Sequence, residues 1–404
     1  MRRREFLGGL SALALSGCTQ RARLVAPARP IAPFHLAPIR ASMDRVFRIT
    51  VCSRPFRAAG PRLDVERVGE KTVVHNYGHG GSGWSLSWGS SAIAVEKALA
   101  TGERDIAVIG CGALGLTSAT LLQQAGAKVT IYAKERPPAV RSSRATGSWT
   151  PDSRIALANS VSADFPALWE QMARKSFHTY ESYLGVAGNP VEWTDRYVLT
   201  DPGQPAPAPG RQVPVQPGGA ELEFGRYSNR IADLTPQHQD LPSGHHPFPT
   251  RFARRNSSLT FNIAAYSRQL VTDFLIEGGK IEITEFHAPS ELSRIPQKTI
   301  VNATGYGARA LWNDQSVVPV RGQIAWLIPE PEATYGVWYK GVQILARRDG
   351  IVVQQLAGGD MFGYNDASET PDRAEAEAAV ETAAELFRRM SETATPTAAS
   401  ASAP

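Results

Sequence analysis

A glycine-rich turn is the first segment of the chain whose residue types and spacing could do chemistry. Gly110, Gly112 and Gly115 have Gly-x-Gly-x-x-Gly spacing; a predicted strand at 105–109 precedes them, and a helix and a second strand at 127–132 follow. The first glycine permits a tight turn, the second lets backbone amides approach a pyrophosphate, and the third lets the helix pack closely with its N-terminus facing the anion. This context predicts dinucleotide binding rather than a structural glycine turn.

An acidic residue that binds a ribose hydroxyl should follow the second strand of such a motif. The chain reads Ala133-Lys134-Glu135 there, so Glu135 is the candidate and Lys134 lies beside it. Ala113 and Leu114 complete the turn and are predicted to line the same cofactor site.

A second glycine-rich segment lies at 75–89, after a predicted strand and before a helix. Such a loop offers backbone amides without side-chain bulk, which suits the edge of an aromatic ring or a phosphate. His75 and His79 have no acidic third ligand nearby, so they predict no metal site. The loop residues predicted to contact a cofactor are Gly80, Gly81, Ser82, Gly83, Trp84 and Ser85.

Composition limits the classes of protein to which the chain could belong. Its 404 residues are 42% hydrophobic, which is enough for a substantial core and suggests two domains. Five arginines and one glutamate in the first 23 residues account for +4 of the net charge of +5, so nothing in the composition supports binding to nucleic acid. Three cysteines predict no disulfide framework.

The N-terminus predicts export. Residues 1–18 combine three arginines, a short uncharged apolar run and the sequence Leu-Ser-Gly-Cys, which is typical of a twin-arginine signal that ends in a lipobox. The apolar run is far shorter than the roughly 20 residues that cross a bilayer. We therefore expect an exported cell-envelope or periplasmic protein anchored by a lipid on Cys18, the alternative being a chance apolar leader. Residues 19–45 are predicted to be a tether.

Several segments resemble one family. His75-Asn-Tyr-Gly-His-Gly-Gly-x-Gly83 resembles the signature of the D-amino-acid oxidases, which include the D-aspartate oxidases. The resemblance touches most of residues 46–365 and is weakest in 160–260. Its other elements are an Arg-Pro stretch at 53–63, a flavin segment at 145–151 and the segments at 301–305 and 319–323.

The order of these segments differs from the order in the family. There the dinucleotide motif begins the chain and the His-Asn-Tyr-Gly-His-Gly-Gly segment ends it, whereas here the terminal segments come first. This order predicts a circular permutation, which is physically reasonable where the natural termini lie close together at the surface. An artefact of the gene prediction is the alternative.

The resemblance implies an α/β fold with a Rossmann-type, doubly wound FAD-binding domain and a substrate domain built on a mixed β-sheet. The FAD-binding domain is expected at 46–160 and 256–315, and the substrate domain at 161–255 and 316–368. A helix is expected at 369–390, and a disordered tail at 391–404.

The resemblance also implies a reaction. A D-amino acid or related amine would lose hydride from its α-carbon to FAD, the imine would hydrolyse to a 2-oxo acid and ammonia, and dioxygen or another electron acceptor would reoxidise the flavin. Arg54 matches the arginine that binds the substrate carboxylate, with an ordinary surface arginine as the alternative, and Gly81 matches the carbonyl that accepts from the amine. The further cofactor-binding residues implied are Arg141, Ser142, Gly147, Ser148 and Thr304.

One family feature is altered. Two tyrosines flank the substrate in the family; Tyr339 matches the first, but Gln343 stands at the position of the second. Two alternatives to an oxidase stay open, the first because a lipid-anchored enzyme lies beside membrane electron acceptors and the second because of Gln343. One is a flavin dehydrogenase that passes electrons to a membrane or periplasmic acceptor, and the other is a flavoprotein that has lost amine oxidation and only binds a ligand.

Overall fold

The computed structural model describes residues 34–201, 222–357 and 359–394. The predicted signal, the first part of the tether and the tail from residue 395 lie outside the described residues. The strands are β1 (Val46–Phe56), β2 (Val65–Val68), β3 (Lys71–His75), β4 (Asp105–Ile109), β5 (Lys128–Ala133), β6 (Val191–Thr200), β7 (Gln239–Leu241), β8 (Phe252–Phe261), β9 (Lys280–Ile283), β10 (Thr299–Asn302), β11 (Val318–Leu327), β12 (Tyr335–Tyr339), β13 (Val342–Arg347) and β14 (Gly350–Gln355). The α-helices are α1 (Gly83–Leu99), α2 (Ala113–Gln124), α3 (Phe165–Glu181), α4 (Ile263–Ile276), α5 (Ala308–Leu311) and α6 (Arg373–Ala394).

A six-stranded sheet carries the predicted dinucleotide motif. Its order is β2-β3-β10-β4-β5-β9, and all neighbours are parallel except the antiparallel pair β2 and β3. Strands β4 and β10 lie in its middle and are almost entirely buried, which explains their apolar sequences. The strand–turn–helix–strand predicted at 105–132 is confirmed by β4, α2 and β5.

Helices cover one face of this sheet. Helices α1 and α2 pack against its central strands and against each other, and α3 and α4 pack against α1 and α2 in turn. Trp88 and Leu86 of α1 and Leu116 of α2 are fully buried in the resulting core. The opposite face is covered more thinly, by Phe286 and Leu292 from the segment before β10 and by Leu311 of α5.

An eight-stranded mixed sheet forms the second layer. Its order is β1-β11-β14-β13-β12-β6-β8-β7, with β12 and β6 parallel and every other pair antiparallel. Helix α6 packs against β11 to β14. The two β-sheets, each with one or more α-helices packed against it, confirm the predicted α/β class.

The boundaries differ from the prediction at several points. Strand β1 pairs along its length with β11, and β8 pairs with β6, so both belong to the eight-stranded sheet although 46–160 and 256–315 were assigned to the FAD-binding domain. Residues 34–45 of the predicted tether pack on the fold: Ile39 is buried and Phe34 stacks on Tyr197. Helix α6 begins at Arg373 and continues past residue 390 into the predicted tail.

Strand pairing also joins segments that are far apart in the chain. Strand β3 pairs with β10 and β1 pairs with β11, although more than 200 residues separate the partners in each pair. The segments before residue 100 are therefore integral to both sheets. None of the helices in the described part of the chain is long and apolar enough to span a bilayer.

Candidate active site

A cavity of about 1140 Å³ is lined by residues from both sheets. This exceeds the roughly 300–1000 Å³ of a typical small-ligand pocket. Most of the predicted site residues line it. They are Arg54, Gly80, Gly81, Gly83, Trp84, Gly110, Gly112, Ala113, Leu114, Lys134, Glu135, Arg141, Ser142, Gly147, Ser148 and Thr304.

The glycines of the first turn are required by close backbone contacts. Gly110 has φ +106°, and a Cβ there would lie 2.5 Å from the carbonyl oxygen of Ala303. A Cβ on Gly115 would lie 1.9 Å from the carbonyl oxygen of Gly110. Gly115 therefore lets α2 pack against the strand, as predicted, but it does not line the cavity.

The N-terminus of α2 opens onto the cavity. A Cβ on Gly112 would meet only the side chain of Ser142, at 3.2 Å. The amide of Ala113 donates a hydrogen bond to the Ser142 hydroxyl at 3.1 Å. The first amides of a helix attract anions, so this end of the cavity is suited to a pyrophosphate. Lys134 and Glu135 follow β5 at the same end, where Lys134 forms an ion pair with Glu285.

The second glycine-rich loop packs tightly against residues 153–154. Gly80 has φ +55°, and a Cβ there would lie 1.8 Å from the carbonyl oxygen of Arg154. The amide of Gly81 and the hydroxyl of Ser82 both donate to the carbonyl oxygen of Ser153. Ser82 and Ser85 were predicted to contact the cofactor, but neither lines the cavity. The Ser85 hydroxyl instead accepts from the amide of Thr150 at 2.8 Å, so both serines hold the wall of the site.

Side chains of the eight-stranded sheet hold the predicted flavin segment. The Arg347 guanidinium is buried and donates to the carbonyl oxygens of Ala145 and Thr146 at 2.8 and 3.1 Å. The Thr146 hydroxyl donates to Gln354 at 2.7 Å, and Gln343 donates to the Ser148 hydroxyl at 3.0 Å. Gln343, which the sequence places at a substrate position, thus also supports this segment.

Arg54 lies deep in the cavity. Its guanidinium donates to the carbonyl oxygen of Arg321 at 3.0 Å and passes over Gly322, where a Cβ would collide with it at 2.3 Å. Burial lowers the pKa of Arg54. Within the described residues it forms no salt bridge with a carboxylate. Arg54 is therefore a cation available to an anionic ligand.

Sequence reasoning missed a cluster of charged residues beside Arg54. Arg154 is buried, donates to the carbonyl oxygens of Gly359 and Asp360, and lies 3.7 Å from the Asp360 carboxylate. Arg226 contacts the same carboxylate. Burial, and next the charge of Arg54, lower the pKa of Arg154 to about 9. No local sequence motif predicts this cluster, because Arg154, Arg226 and Asp360 come from three distant segments of the chain.

His79 also faces the cavity. It is 1% exposed, and neither ring nitrogen has a hydrogen-bond partner within residues 34–201, 222–357 and 359–394. Burial, and next the charge of Arg57, lower the pKa of His79 to about 3, so the ring is neutral at pH 7. Among the described residues, no group of three His, Cys, Asp or Glu side chains could hold a metal ion.

Tyr339 does not lie where it was predicted. Its hydroxyl donates to Asp201 at 2.8 Å and accepts from Arg389 of α6 at 2.7 Å. It does not line the cavity, whereas its neighbour Trp338 does. Successive side chains of a strand point to opposite faces, so β12 turns Tyr339 toward α6.

Comparison with known proteins decides the family. The sequence pattern of the family described as FAD dependent oxidoreductase (DAO) matches residues 105–402. The chain belongs to this family. It is therefore an FAD-dependent oxidoreductase, and the cofactor predicted from the glycine-rich turn is FAD.

Curated relatives match over part of their length. A D-amino-acid oxidase from Rubrobacter xylanophilus is 27% identical over 217 residues, which are 54% of this chain and 57% of the relative. A D-amino-acid oxidase from Dictyostelium discoideum is 24% identical over 54% of this chain and 56% of its own. A D-aspartate oxidase from Talaromyces thermophilus is 49% identical over 49 residues, 12% of this chain and 13% of its own. The chain thus spans little more than half the length of the first two relatives and a small part of the third.

Solved structures also match part of the chain. An L-amino acid deaminase from Proteus vulgaris matches with a TM-score of 0.45 and 15% identity over 72% of this chain and 76% of its own. An L-proline dehydrogenase from P. horikoshii matches with a TM-score of 0.45 and 14% identity over 72% of this chain and 78% of its own.

The residues present fit FAD. Gly112 lines the cavity at the N-terminus of α2, where a larger side chain would enter the space that a pyrophosphate needs. Further along the same cavity, buried polar atoms of Ser53, His79 and Asn256 have no hydrogen-bond partner among the described residues. Buried polar groups are normally satisfied, so these atoms indicate that ligands complete the site.

Proposed function

We propose that the protein deaminates D-amino acids oxidatively, to 2-oxo acids and ammonia, with dioxygen as the electron acceptor and hydrogen peroxide as its product. FAD, when bound, accepts the hydride from the substrate α-carbon. The observation that carries the proposal is Arg54, a guanidinium without a carboxylate partner in the described structure, in the same cavity as Gly81. The preference for D-amino acids rests on the family resemblance and on the names of the curated relatives.

The residues of the chain then have distinct tasks. Arg54 binds the substrate carboxylate, because a planar guanidinium can pair with both oxygens. The carbonyl of Gly81 accepts a hydrogen bond from the amine. The neighbouring charges of Arg54 and Arg154 favour an amine that arrives without a proton, since a second cation would be repelled there.

A panel of D- and L-amino acids tests the proposal. The purified FAD-loaded protein is mixed with each amino acid while flavin absorbance and peroxide are recorded. Bleaching with D-amino acids and stoichiometric peroxide supports an oxidase. Bleaching that persists in air until an artificial acceptor is added supports a dehydrogenase instead. Bleaching with L-amino acids alone overturns the D preference, and no bleaching with any amine leaves only ligand binding.

We also propose that the fold is a circular permutation of a two-domain family fold whose six-stranded sheet is the Rossmann-type FAD-binding layer. The loop Ala100–Arg104 joins α1 directly to β4 and would mark the family's natural termini. The contact of α6 with the short 3-10 helix Met43–Arg45, which precedes β1, supports this proposal. A gene that begins at Glu103 and carries residues 34–102 after residue 394 should yield a folded flavoprotein. An insoluble, flavin-free product would count against the permutation.

We further propose that the protein is exported and anchored by a lipid on Cys18. Replacing Arg3 and Arg4 by lysine should leave precursor in the cytoplasm, because the twin-arginine route reads both arginines. Cys18→Ala should release the protein from membranes into the soluble cell-envelope fraction. Unchanged export of the double lysine variant would indicate the general secretory route.

A further inference from the structure

Most cations of the cavity have an acidic partner. Arg141 and Arg144 pair with Glu369, Arg154 and Arg226 pair with Asp360, and Lys134 pairs with Glu285. In the part of the chain that the structure describes, no salt bridge to a carboxylate is formed by the cavity arginines Arg54, Arg196 and Arg309.

Two of these three arginines lie in the eight-stranded sheet. Arg54 is the proposed partner of the substrate carboxylate. Arg309 belongs to α5, and its guanidinium is held by the carbonyl oxygens of Gln315 and Val317. Arg196, in β6, therefore has no task in the proposed function.

Arg196 is an incompletely satisfied cation. Its Nη2 atom donates to the carbonyl oxygen of Leu259 and the hydroxyl of Thr260, each at 3.0 Å. Its buried Nε atom has no hydrogen-bond partner among the residues that the structure describes. Burial lowers the pKa of Arg196 to about 10, and no carboxylate of the described residues opposes the shift. A charge held in this way costs free energy unless a counterion is supplied.

Asn256 adds a second unsatisfied group at the same place. Strands β6 and β8 are antiparallel, and their register puts Asn256 directly opposite Arg196. Both residues line the cavity, and the buried Asn256 Oδ1 atom has no hydrogen-bond partner in the described part of the chain. The two ends of a side-chain amide exchange by a half-turn, so Asn256 can present its NH2 group to an anion.

This pair lies next to the flavin segment. Thr260, which accepts from Arg196, forms a β-bridge with Ser148, and Ser148 accepts from Gln343. The neighbouring strand β12 leaves room for the arginine through Gly336, where a Cβ would lie 3.3 Å from the Arg196 Cγ atom. The pair thus belongs to the same cavity wall as the residues that would surround the reacting part of a substrate.

We propose that Arg196 and Asn256 form a second carboxylate subsite, which makes amino acids with an acidic side chain the preferred substrates. The α-carboxylate would bind Arg54, and the side-chain carboxylate would supply the counterion that Arg196 lacks. This inference rests on the proposed function, since it assigns the substrate class of the same site.

Turnover of matched substrates tests the subsite. The specificity constant kcat/KM is measured for D-aspartate, D-glutamate and D-2-aminoadipate, and for the amides D-asparagine and D-glutamine. The wild type should prefer the acid over the amide of equal length. Arg196→Gln should lower that acid-to-amide ratio by about 10- to 100-fold, as expected for the loss of one or two charge-assisted hydrogen bonds.

Two further variants test the subsite even if Arg196→Gln does not fold. Asn256→Asp leaves Arg196 in place and gives it an internal counterion, so it should also lower the acid-to-amide ratio. Arg255→Gln is the matched control. Arg255 immediately precedes Asn256 in β8, but it does not line the cavity and its guanidinium is held by Gln239 and Asp195. It should leave the ratio as in the wild type.

Ligand binding gives a readout that needs no turnover. Succinate and glutarate, titrated against the flavin absorbance, should bind more tightly than propionate and butyrate, and Arg196→Gln should remove the difference. An equal affinity of the wild type for both kinds of acid would overturn the subsite. If neutral D-amino acids are oxidised in preference to acidic ones, the subsite fails and the proposed function stands. If no amino acid is oxidised but the dicarboxylates keep their advantage, the proposed function fails and the subsite stands.

Discussion

The side-chain amide of Gln343 donates a hydrogen bond to the hydroxyl of Ser148 at 3.0 Å. This contact links β13 to the flavin segment, because Gly147 and Ser148 lie on the cavity wall. The family resemblance implies a tyrosine at position 343. The chain has a glutamine there instead, and its amide forms a hydrogen bond with the cavity wall.

Gln343→Leu should therefore weaken cofactor binding. Leaving the Ser148 hydroxyl without its partner costs roughly 1–3 kcal/mol, part of which should appear as an FAD dissociation constant raised about 5-fold or more. Flavin fluorescence titration measures the constant. Gln237→Leu is a suitable control, because Gln237 is exposed and does not line the cavity. An unchanged constant in Gln343→Leu would show that the Ser148 hydroxyl does not support the cofactor.

Arg54→Lys should impair the recognition of a substrate carboxylate. Lysine keeps the positive charge but lacks the planar guanidinium that pairs with both carboxylate oxygens. The apparent substrate constant should therefore rise about 10- to 100-fold, which corresponds to the loss of one charge-assisted hydrogen bond. Steady-state kinetics with amino acids and with simple amines separates the effect, since amines without a carboxylate should respond little. Arg57→Lys is the matched control, because Arg57 donates to Ser316 and Gly60 outside the cavity. Equal losses for acids and amines would remove Arg54 from the carboxylate site.

Tyr339→Phe should affect stability rather than catalysis. The tyrosine hydroxyl joins Asp201 to Arg389, so its removal should lower the free energy of unfolding by about 1.5–3 kcal/mol, as for other hydrogen bonds to charged groups. Urea denaturation measures that loss. The apparent substrate constant should stay within 2-fold, whereas Trp338→Phe, on the cavity side of the same strand, should change it. A large rise of that constant in Tyr339→Phe would place the tyrosine at the substrate after all.

Gly112→Asp should abolish FAD binding. A Cβ there would meet only the Ser142 side chain, at 3.2 Å, and a small shift of that hydroxyl relieves the contact, so the fold should survive. A carboxylate at the N-terminus of α2 would, however, repel a pyrophosphate. Flavin content per chain after purification is the measurement. Gly112→Asn adds the same bulk without the charge and should retain more flavin. If Gly112→Asp purified yellow at full stoichiometry, the assignment of this turn to the pyrophosphate would be wrong.

The neutral state of His79 should appear in the pH dependence of stability. Its pKa of about 3 lies below the unfolded value near 6.5, so the unfolded chain gains a proton first as the pH falls. Stability should therefore fall by about 1.4 kcal/mol per pH unit below 6.5 through this group, or about 2 kcal/mol between pH 7 and pH 5. In urea denaturation, the free energy of unfolding of His79→Gln should therefore fall by about 2 kcal/mol less than that of the wild type between pH 7 and pH 5. His178→Gln, at an exposed position, should behave as the wild type.

The sequence by itself determined the dinucleotide turn and the family. Gly110 and Gly115 could be assigned because a positive φ and the close approach of the helix to its own turn favour glycine there, and Gly112 because it leaves the helix N-terminus open to a ligand. The same holds for the loop at Gly80 and Gly81, where adjacent backbone leaves no space for a side chain.

Only the tertiary structure decided which side chains meet in the cavity. Tyr339 was placed wrongly because side chains alternate along a strand, so a difference of one residue turns a side chain to the opposite face. Among the described residues, Arg196 has no carboxylate partner because the fold brings none near it. The spacing of residues in the sequence does not show which carboxylates the fold places beside an arginine. Arg154 and Asp360, 206 residues apart, form their pair for the same reason, because long-range strand pairing in the eight-stranded sheet assembles the site.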